Sequence, residues 1–494
     1  MFRCGVGILK AVIKTYLYHL GTILLANSVF LLVPGIYGFF FIGEHEVAST
    51  YLTVGAILLI IGFLLRKLLM PIHALTVSSA LALVVLSWII IPITGGIVLH
   101  YTSGMPLLDS LFEGVSGFTG TGLTMVTKPE EFPRTVLLWR SIMQWVGGLG
   151  IVVISLVLLA RGIAVVRLAL AEGREERIEP SIRKTAEVML KIYVVITAIS
   201  IVLFLITGME PFDAVNHAMT GIATGGFSTH SKSVGYYRSL PIWWAGIIIM
   251  FMGAINFVDY SRITRLGIRH FFASIEVQSL IVIGLSGGLL LYLILSRNNT
   301  PSLELYTQTI FHAVSGMTNT GFQVASIVNY PDVAKALLIM LMVIGGSTSS
   351  TSAGIKHYRL LVFLKSIGWE ITRTILPRGT TLSHRLGDRY IDEDVIRKVT
   401  SFIVLYLMTL AVGSLVTAAI YYAEGINVKF IDVLFEVTSA QTCTGLSVGL
   451  AGPHMPAMAK AVFIIIMLLG RLEIYPLIAV LWRPMMRYAK YIRG

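Results

Sequence analysis

The sequence predicts an all-α polytopic membrane fold. Three observations carry that expectation: a hydropathy too high for water, basic residues confined to alternate gaps, and a motif that recurs four times. The 494 residues are 55% hydrophobic and only 13% charged, where soluble domains carry ~25% charged residues. Mean hydropathy is +0.81 over the whole length, so the apolar surface is spread along the chain and needs a lipid solvent. A net charge of +12 does not make this a nucleic-acid binder. Such proteins cluster Lys and Arg on a soluble face, whereas here they lie in short gaps between apolar runs. Two cysteines, Cys4 and Cys443, can build neither a disulfide framework nor a four-thiolate zinc site.

Runs long enough to cross ~30 Å of hydrocarbon fall near 20–42, 50–70, 74–99, 135–160, 188–207, 241–260, 275–296, 333–356, 400–423 and 457–482. The first follows Arg3, Lys10 and Lys14 and lacks a clear small-residue cleavage site, which predicts a retained helix instead of a signal peptide. Four apolar segments, near 106–118, 211–222, 304–317 and 430–441, are too short to span. About 12 helical residues reach only ~18 Å, so these are expected as re-entrant half-helices. The gaps at 3–14, 66–67, 161–184, 262–269, 356–398 and 483–493 hold most of the lysines and arginines. The alternate gaps hold only Lys128, Arg134, Lys232, Arg238, Arg297 and Lys429. By the positive-inside rule both termini are cytoplasmic and the half-helices enter from outside, placing a multi-pass protein in the cytoplasmic (inner) membrane.

The motif decides the architecture. EGVSGFTGTGL from Glu113 aligns with HAMTGIATGGF from His217, HAVSGMTNTGF from His312 and EVTSAQTCTGL from Glu436. In each copy a Glu or His precedes a glycine by nine residues (Gly122, Gly226, Gly321, Gly445). A Ser or Thr follows the Glu or His by three (Ser116, Thr220, Ser315, Ser439), and Asp109, Asp213, Gln308 or Asp432 precedes it by four. Each unit reads helix, half-helix, glycine segment, helix. Glycine permits the positive φ that turns successive carbonyls to one side, and inward carbonyls can replace a cation's hydration shell. The half-helix before it aims a C-terminal end worth about −0.5 charge at the same place. Irregular backbone at membrane depth is tolerated where it is buried or lines a water-filled cavity.

The expected fold is therefore four pseudo-repeats of helix, pore half-helix, filter and helix around one pore, plus an N-terminal helix pair. The divisions are 1–70 for the pair, then 71–184, 185–273, 274–398 and 399–494 for the repeats. The filter backbone is expected at Thr121, Gly122, Gly225, Gly226, Thr320, Gly321, Thr444 and Gly445, with K⁺ as the bound metal ion. Ordinary Gly/Thr helix packing would explain one such segment but not four in register. Glu113, His217, His312 and Glu436 are expected to anchor the half-helices by hydrogen bonds and not to touch the ion. The second copy departs from the others, with Gly225 where they have Thr121, Thr320 and Thr444. One glycine per repeat predicts few well-formed sites and loose discrimination of K⁺ from Na⁺.

Two further features fall below the filters. Gly345, Gly346, Ser347, Thr348, Ser349, Ser350, Thr351, Ser352, Ala353 and Gly354 cannot make a good lipid-facing helix, since glycine and hydroxyl residues free the backbone and re-satisfy it. A break there predicts an intramembrane gate that bulges into the pore, with a flexible helix-packing surface as the alternative. Arg471 lies near mid-membrane, where a guanidinium costs at least ~2.5–3.5 kcal/mol. It needs a salt bridge to another helix or a place facing the pore, because Glu473, two residues on, points to another side of the helix.

On these residues the chain resembles the superfamily of K⁺ transporters that contains TrkH, KtrB and the plant and fungal HKT/Trk proteins, and most closely TrkH. LLWRSIMQWVGGLGIVVISLVLLAR (137–161), MGAINFVDYSR (252–262), GGSTSSTSAGIK (345–356) and LLGRLEIYP (468–476) resemble the second helices of that family's four repeats. The resemblance runs from about residue 15 to 485, and the extra N-terminal pair fits TrkH better than the eight-crossing KtrB. It implies uptake of K⁺, or of K⁺ and Na⁺, through a channel-like pore, with Arg471 facing the pore beside the 345–354 loop. It implies a TrkA-like cytoplasmic nucleotide-binding regulatory subunit, received by segments 161–184 and 356–398, and a homodimer. It also implies K⁺ as the only ligand, no organic cofactor in this chain and no enzyme activity. No GxxxxGK[ST] element is present, and inward K⁺ movement gains about 2.3 kcal/mol per 100 mV of inside-negative potential. Two rivals stand. A coupled symporter should carry acidic residues deep in its helices, whereas Asp and Glu here sit mostly near ends and loops. A serine hydrolase should place a general base near its nucleophile, and the Ser/Thr run has none.

Overall fold

Apolar runs fold as helices, and the glycine segments interrupt them at membrane depth. The computed structural model describes residues 2–69, 77–150, 182–377, 383–387, 389–474 and 477–478. Most of the 161–184 basic segment and the basic cluster at 483–493 lie outside the described residues. The N-terminal pair is α1 (Phe2–Tyr37) and α2 (His45–Leu68), packed along their lengths. Gly21 and Gly62 let the two backbones approach until a Cβ on either would lie within 3 Å of the other's carbonyl oxygen, the small-residue packing that membrane helices use. The turn between them supplies Glu44, whose carboxylate accepts from the Arg134 and Thr135 amides at 2.9 and 3.0 Å. That caps the start of the helix that begins at Arg134 and docks the pair on the first repeat.

The four repeats follow in order. The first helices are α3 (Val77–Ser103), α6 (Ile182–Ile206), α11 (Ile275–Leu295) and α15 (Glu393–Ala423). The half-helices are α4 (Leu107–Thr119), α7 (Pro211–Ile222), α12 (Leu303–Met317) and α16 (Phe430–Gln441), all within a residue or two of the segments the sequence marks as too short to span. The second helices are α5 (Arg134–Leu149), α8 (Leu240–Ala254), α13 (Asp332–Ile344) and α17 (Ala457–Arg471). Short helices α9 (Phe257–Leu266) and α10 (Ile268–Phe272) follow α8, and α14 (His357–Ile375) follows the loop after α13. Inside the 356–398 basic segment, Arg385–Leu386 pairs antiparallel with Arg389–Tyr390, the one piece of β-structure among the described residues.

The second helices differ from expectation. The sequence predicts ten crossings, with a break only in the eighth at 345–354, but six described helices are long and apolar enough to span, or seven if α8 and α9, bent by 99°, count as one. Each second helix stops at the same depth. Gly147, Gly253, Gly345 and Gly470 each lie thirteen residues after the first residue of their helix. A Cβ at Gly147, Gly253 or Gly470 would come within 1.8, 2.6 or 1.9 Å of the Phe118, Ile222 or Gln441 carbonyl oxygen, at the end of the repeat's own half-helix. The close approach requires glycine, and glycine there weakens the helix.

The repeats interlock as a ring. Each second helix packs against the half-helix of the next repeat: α5 on α7, α8 on α12, α13 on α16, and α17 back on α4. Two ion pairs reinforce the last two seams, a partly buried one between Lys335 and Asp432 at 2.6 Å and a buried one between Lys460 and Asp109 at 2.5 Å. Asp213, the equivalent acid in repeat two, is instead held within its own repeat by Thr229, His230 and Tyr237. Helices α2, α11 and α15 bury only about a third of their most apolar stretch and present Leu, Ile and Val outward, as lipid-facing helices do. Replacing Lys460 with Met should leave the Asp109 carboxylate buried and unpaired, a loss of roughly 3–5 kcal/mol. The thermal midpoint of detergent-solubilised protein should drop, and Asp109→Asn/Lys460→Met should recover most of it. A double variant as unstable as the single one would show that the pair does not hold the seam.

Candidate functional site

All four half-helices end alike. The residue two before each filter glycine is left-handed: Gly120 (φ +70°), Thr224 (+49°), Asn319 (+55°) and Cys443 (+49°). The next amide turns back to the half-helix, from Thr121 to the Ser116 carbonyl, Gly225 to Thr220, Thr320 to Ser315 and Thr444 to Ser439, at 2.8–2.9 Å. This is a Schellman closure. It throws the chain into the glycines, which are also left-handed: Gly122 (+81°), Gly226 (+78°), Gly321 (+84°) and Gly445 (+91°).

These glycines meet their neighbours in cyclic order. A Cβ on Gly122 would lie 2.1 Å from the Gly225 carbonyl oxygen, and one on Gly226 would lie 2.1 Å from that of Thr320. On Gly321 it would lie 2.0 Å from the Thr444 oxygen, and on Gly445, 2.6 Å from that of Thr121. The eight residues named from the sequence as the filter backbone thus come together, with four carbonyl groups interleaved between four glycines. A cavity of about 1070 Å³ opens beside them and is lined by all four glycines together with Arg140 of α5 and residues of the loops that follow the filters, including Ser228, Gln323, Ser447 and His454.

The Glu and His positions act as clasps. Glu113 accepts from the Thr124 hydroxyl and the Met125 amide and pairs with Arg140 at 2.8 Å. His217 contacts the Ser228 hydroxyl at 2.9 Å through Nε2. His312 Nε2 accepts from the Val324 amide at 3.2 Å, while Nδ1 meets the Tyr330 hydroxyl. Glu436 accepts from Ser447 and from the Leu450 and Ala451 amides. In every repeat, then, this side chain ties the half-helix to the segment leaving the filter. Ser116 and Ser315 donate to the carbonyls just after the glycine, Leu123 and Phe322, which fixes where filters one and three end.

The Gly345–Gly354 segment is a closed excursion. Gly345 (φ +74°) and Gly354 (φ +76°) pack back to back at its neck, and the Ile355 and Lys356 amides donate to the Val343 and Ile344 carbonyls. Its body reaches the second repeat: Ser347 N donates to the Ala254 carbonyl, and the Thr351 hydroxyl contacts the Ile222 and Gly253 carbonyls at 2.9 Å. Glu276 accepts from the Thr348 amide. Arg471 donates to the Thr351 carbonyl at 2.9 Å and to the Gly147 and Gly148 carbonyls at 2.5 and 2.9 Å. Among the described residues its partners are carbonyl oxygens of the loop and of repeat one, not a carboxylate. Glu473 points elsewhere and pairs with Arg359 and Lys356.

The sequence profile of TrkH, a cation transport protein, matches residues 49–283 and 298–491. The chain belongs to the TrkH family. An uncharacterized cation transporter of Methanocaldococcus jannaschii is 32% identical over 475 residues, 95% of each chain. The Trk system potassium uptake protein TrkH of Vibrio parahaemolyticus is 29% identical over 430 residues, 83% of this chain and 87% of that one. The crystal structure of the potassium transporter TrkH from the same species superposes with a TM-score of 0.84 at 26% identity, covering 95% and 98% of the two chains. Family membership makes this a multi-pass cation transport protein and removes the hydrolase reading of the Ser/Thr run.

Within this TrkH-family chain, a residue that the sequence does not single out enters the second filter. Gln144, fully buried on α5, inserts its amide into the second filter. Nε2 donates to the Gly225 carbonyl at 2.6 Å, and Oε1 accepts from the Phe227 amide at 2.9 Å. A Cβ on Gly225 would lie 2.4 Å from the Gln144 amide carbon, which explains why this filter has glycine where the others have threonine. The available signal was a glutamine inside a predicted crossing, where a buried polar side chain needs a specific partner. Gly225→Thr should give aggregated or strongly destabilised protein by size-exclusion and thermal melting, and Gln144→Ala/Gly225→Thr should recover a folded species. A double variant no better than the single one would refute the steric account.

Proposed function

We propose that this protein takes up K⁺, with Na⁺ as a weaker competitor, through a channel-like pore whose ion site is the ring of the four filter segments. The relatives named as potassium uptake proteins and the potassium transporter of known structure support K⁺ as the cargo. The observation that carries the reading is the cyclic meeting of Gly122, Gly226, Gly321 and Gly445 with the carbonyls of Thr121, Gly225, Thr320 and Thr444. Carbonyl groups at such a meeting point can take the place of an ion's water, and the half-helix C-termini add negative potential there. The four repeats act as the units of one pore, with boundaries near 71–184, 185–273, 274–398 and 399–494.

The 345–354 loop serves as the gate, lying between filter and cytoplasm and latched by Arg471. Both termini face the cytoplasm, and the protein sits in the inner membrane as a homodimer. A cytoplasmic nucleotide-binding subunit of the TrkA kind regulates it. The naming of relatives as parts of a Trk system supports such a partner, and the exposed basic residues Lys365, Arg373 and Arg397 of the 356–398 segment suit its reception.

Liposome fluxes of K⁺, Rb⁺, Na⁺ and Li⁺ test the filter. Gly226→Ser and Gly321→Ser each place a Cβ at a left-handed position, costing roughly 1–2 kcal/mol, and against a carbonyl about 2 Å away. Both should lower the K⁺/Na⁺ permeability ratio or K⁺ uptake, and Gly368→Ala, with open space around it, should not. Unchanged ratios in both serine variants would sink the assignment. The gate is tested separately. Because Gly345 and Gly354 already touch, deletion of Gly346–Ala353 rejoins the chain with little distortion and should raise basal K⁺ flux, as should Arg471→Ala. Folded variants with flux at or below wild type would count against a gating loop.

A further inference from the structure

The left-handed position before each filter is occupied by four different residues, and Asn319 alone reaches both the gate loop and a neighbouring filter. Its side chain is fully buried. Nδ2 lies 2.9 Å from the Met342 carbonyl and 2.8 Å from the Thr444 hydroxyl, and Oδ1 lies 2.8 Å from the Ser352 hydroxyl. The Met342 carbonyl can only accept, so the amide nitrogen faces it and the oxygen faces Ser352.

Every proton in the chain of contacts then has one direction. The Gly346 amide donates to Ser352 Oγ, and Ser352 donates to Asn319 Oδ1. Asn319 Nδ2 donates to Thr444 Oγ1, Thr444 to Thr442 at 2.6 Å, and Thr442 to the Thr438 carbonyl at 2.8 Å. Filters one and three have the same inner threonine pair, Thr119 with Thr121 and Thr318 with Thr320. The fourth pair is held from the preceding repeat by the Asn319 carboxamide, whereas the first pair meets a neighbouring repeat only through the weak thiol of Cys443 at Thr121. The Thr444 carbonyl, on the residue whose side chain is so held, is the one that lies against Gly321.

We infer that Asn319 is a specificity-determining positioning residue whose carboxamide ties Ser352 of the gate loop to the Thr444 hydroxyl of the fourth filter, so that ion preference depends on where the loop sits. The inference rests on the filter reading and extends it. When the loop moves away, Asn319 Oδ1 loses its donor, the amide is free to turn, and Thr444 loses the contact that fixes its rotamer. The fourth carbonyl is then less well placed for an ion the size of K⁺, and discrimination against Na⁺ weakens.

Glycine makes a clean test. It takes a φ of +55° without strain, and Gly120 occupies the equivalent place in repeat one, so Asn319→Gly removes the carboxamide and spares the backbone. The full chain, reconstituted in liposomes, is assayed for K⁺/Na⁺ permeability ratio by reversal potential. Asn319→Gly should lower the ratio about 3- to 10-fold, the scale of a lost buried hydrogen bond. Ser352→Ala, which leaves Asn319 in place and removes its contact to the loop, should lower it in the same direction by a smaller factor. Gly321→Ser and Gly226→Ser are run alongside. If either lowers the ratio while Asn319→Gly and Ser352→Ala leave it at the wild-type value, the role of Asn319 is overturned and the filter stands. If Gly321→Ser and Gly226→Ser also leave it unchanged, the filter reading itself falls. Should Asn319→Gly fail to yield monodisperse protein, the ratio of Ser352→Ala decides alone: unchanged overturns the inference, lowered supports it.

Discussion

The fold depends on four backbones that approach one another more closely than any side chain allows. Where a Cβ would sit on Gly122, Gly226, Gly321 or Gly445, the neighbouring repeat already places a carbonyl oxygen or lies against it. Backbone polar groups at membrane depth must be satisfied or face a water-filled space, so this meeting cannot be a packing accident of four lipid-facing helices. It needs half-helices to deliver the segments, a closure that turns them, and second helices that stop in time to leave room.

Each of those requirements is met locally and repeated four times. The half-helices end in the same backbone closure, and a Glu or His on each reaches the outgoing strand, so that segment is held at both ends. The second helices come close enough to the half-helix ends that glycine is needed at 147, 253 and 470, and they break just there. In the third repeat the break is extended into a ten-residue loop whose two neck glycines face each other. Quasi-symmetry thus supplies four equivalent weak points, and the chain elaborates one of them. The ring is also asymmetric where it matters chemically. Gln144 enters only filter two, and Asn319 bridges only filters three and four.

Much of this was legible in the sequence. The half-helices, the four glycines, the clasp residues and the Gly345–Gly354 break are read from length, spacing and composition. Those are properties that backbone geometry imposes on residue type. Apart from the 345–354 break, the interruptions of the second helices were not legible, because runs such as 241–260 are strongly apolar on average and hydropathy does not register that Gly253 and Asn256 end a helix. Gln144 and Asn319 leave no such mark, because each is a single polar residue with a partner 81 or 125 positions away. Arg471 stands out in the sequence by its cost in the membrane, but its satisfaction by three carbonyl oxygens instead of a carboxylate depends on helix ends that only the assembled fold brings together.

The central claim is that a cation sits where the four glycine segments meet. Rb⁺ has nearly the coordination chemistry of K⁺ and scatters anomalously, so crystals of the reconstituted protein grown in Rb⁺ can locate it. The account predicts an anomalous peak between Gly122, Gly226, Gly321 and Gly445, lost when Rb⁺ is replaced by Li⁺. An empty ring with ordered Rb⁺ elsewhere along the chain, in protein that transports K⁺, would contradict it.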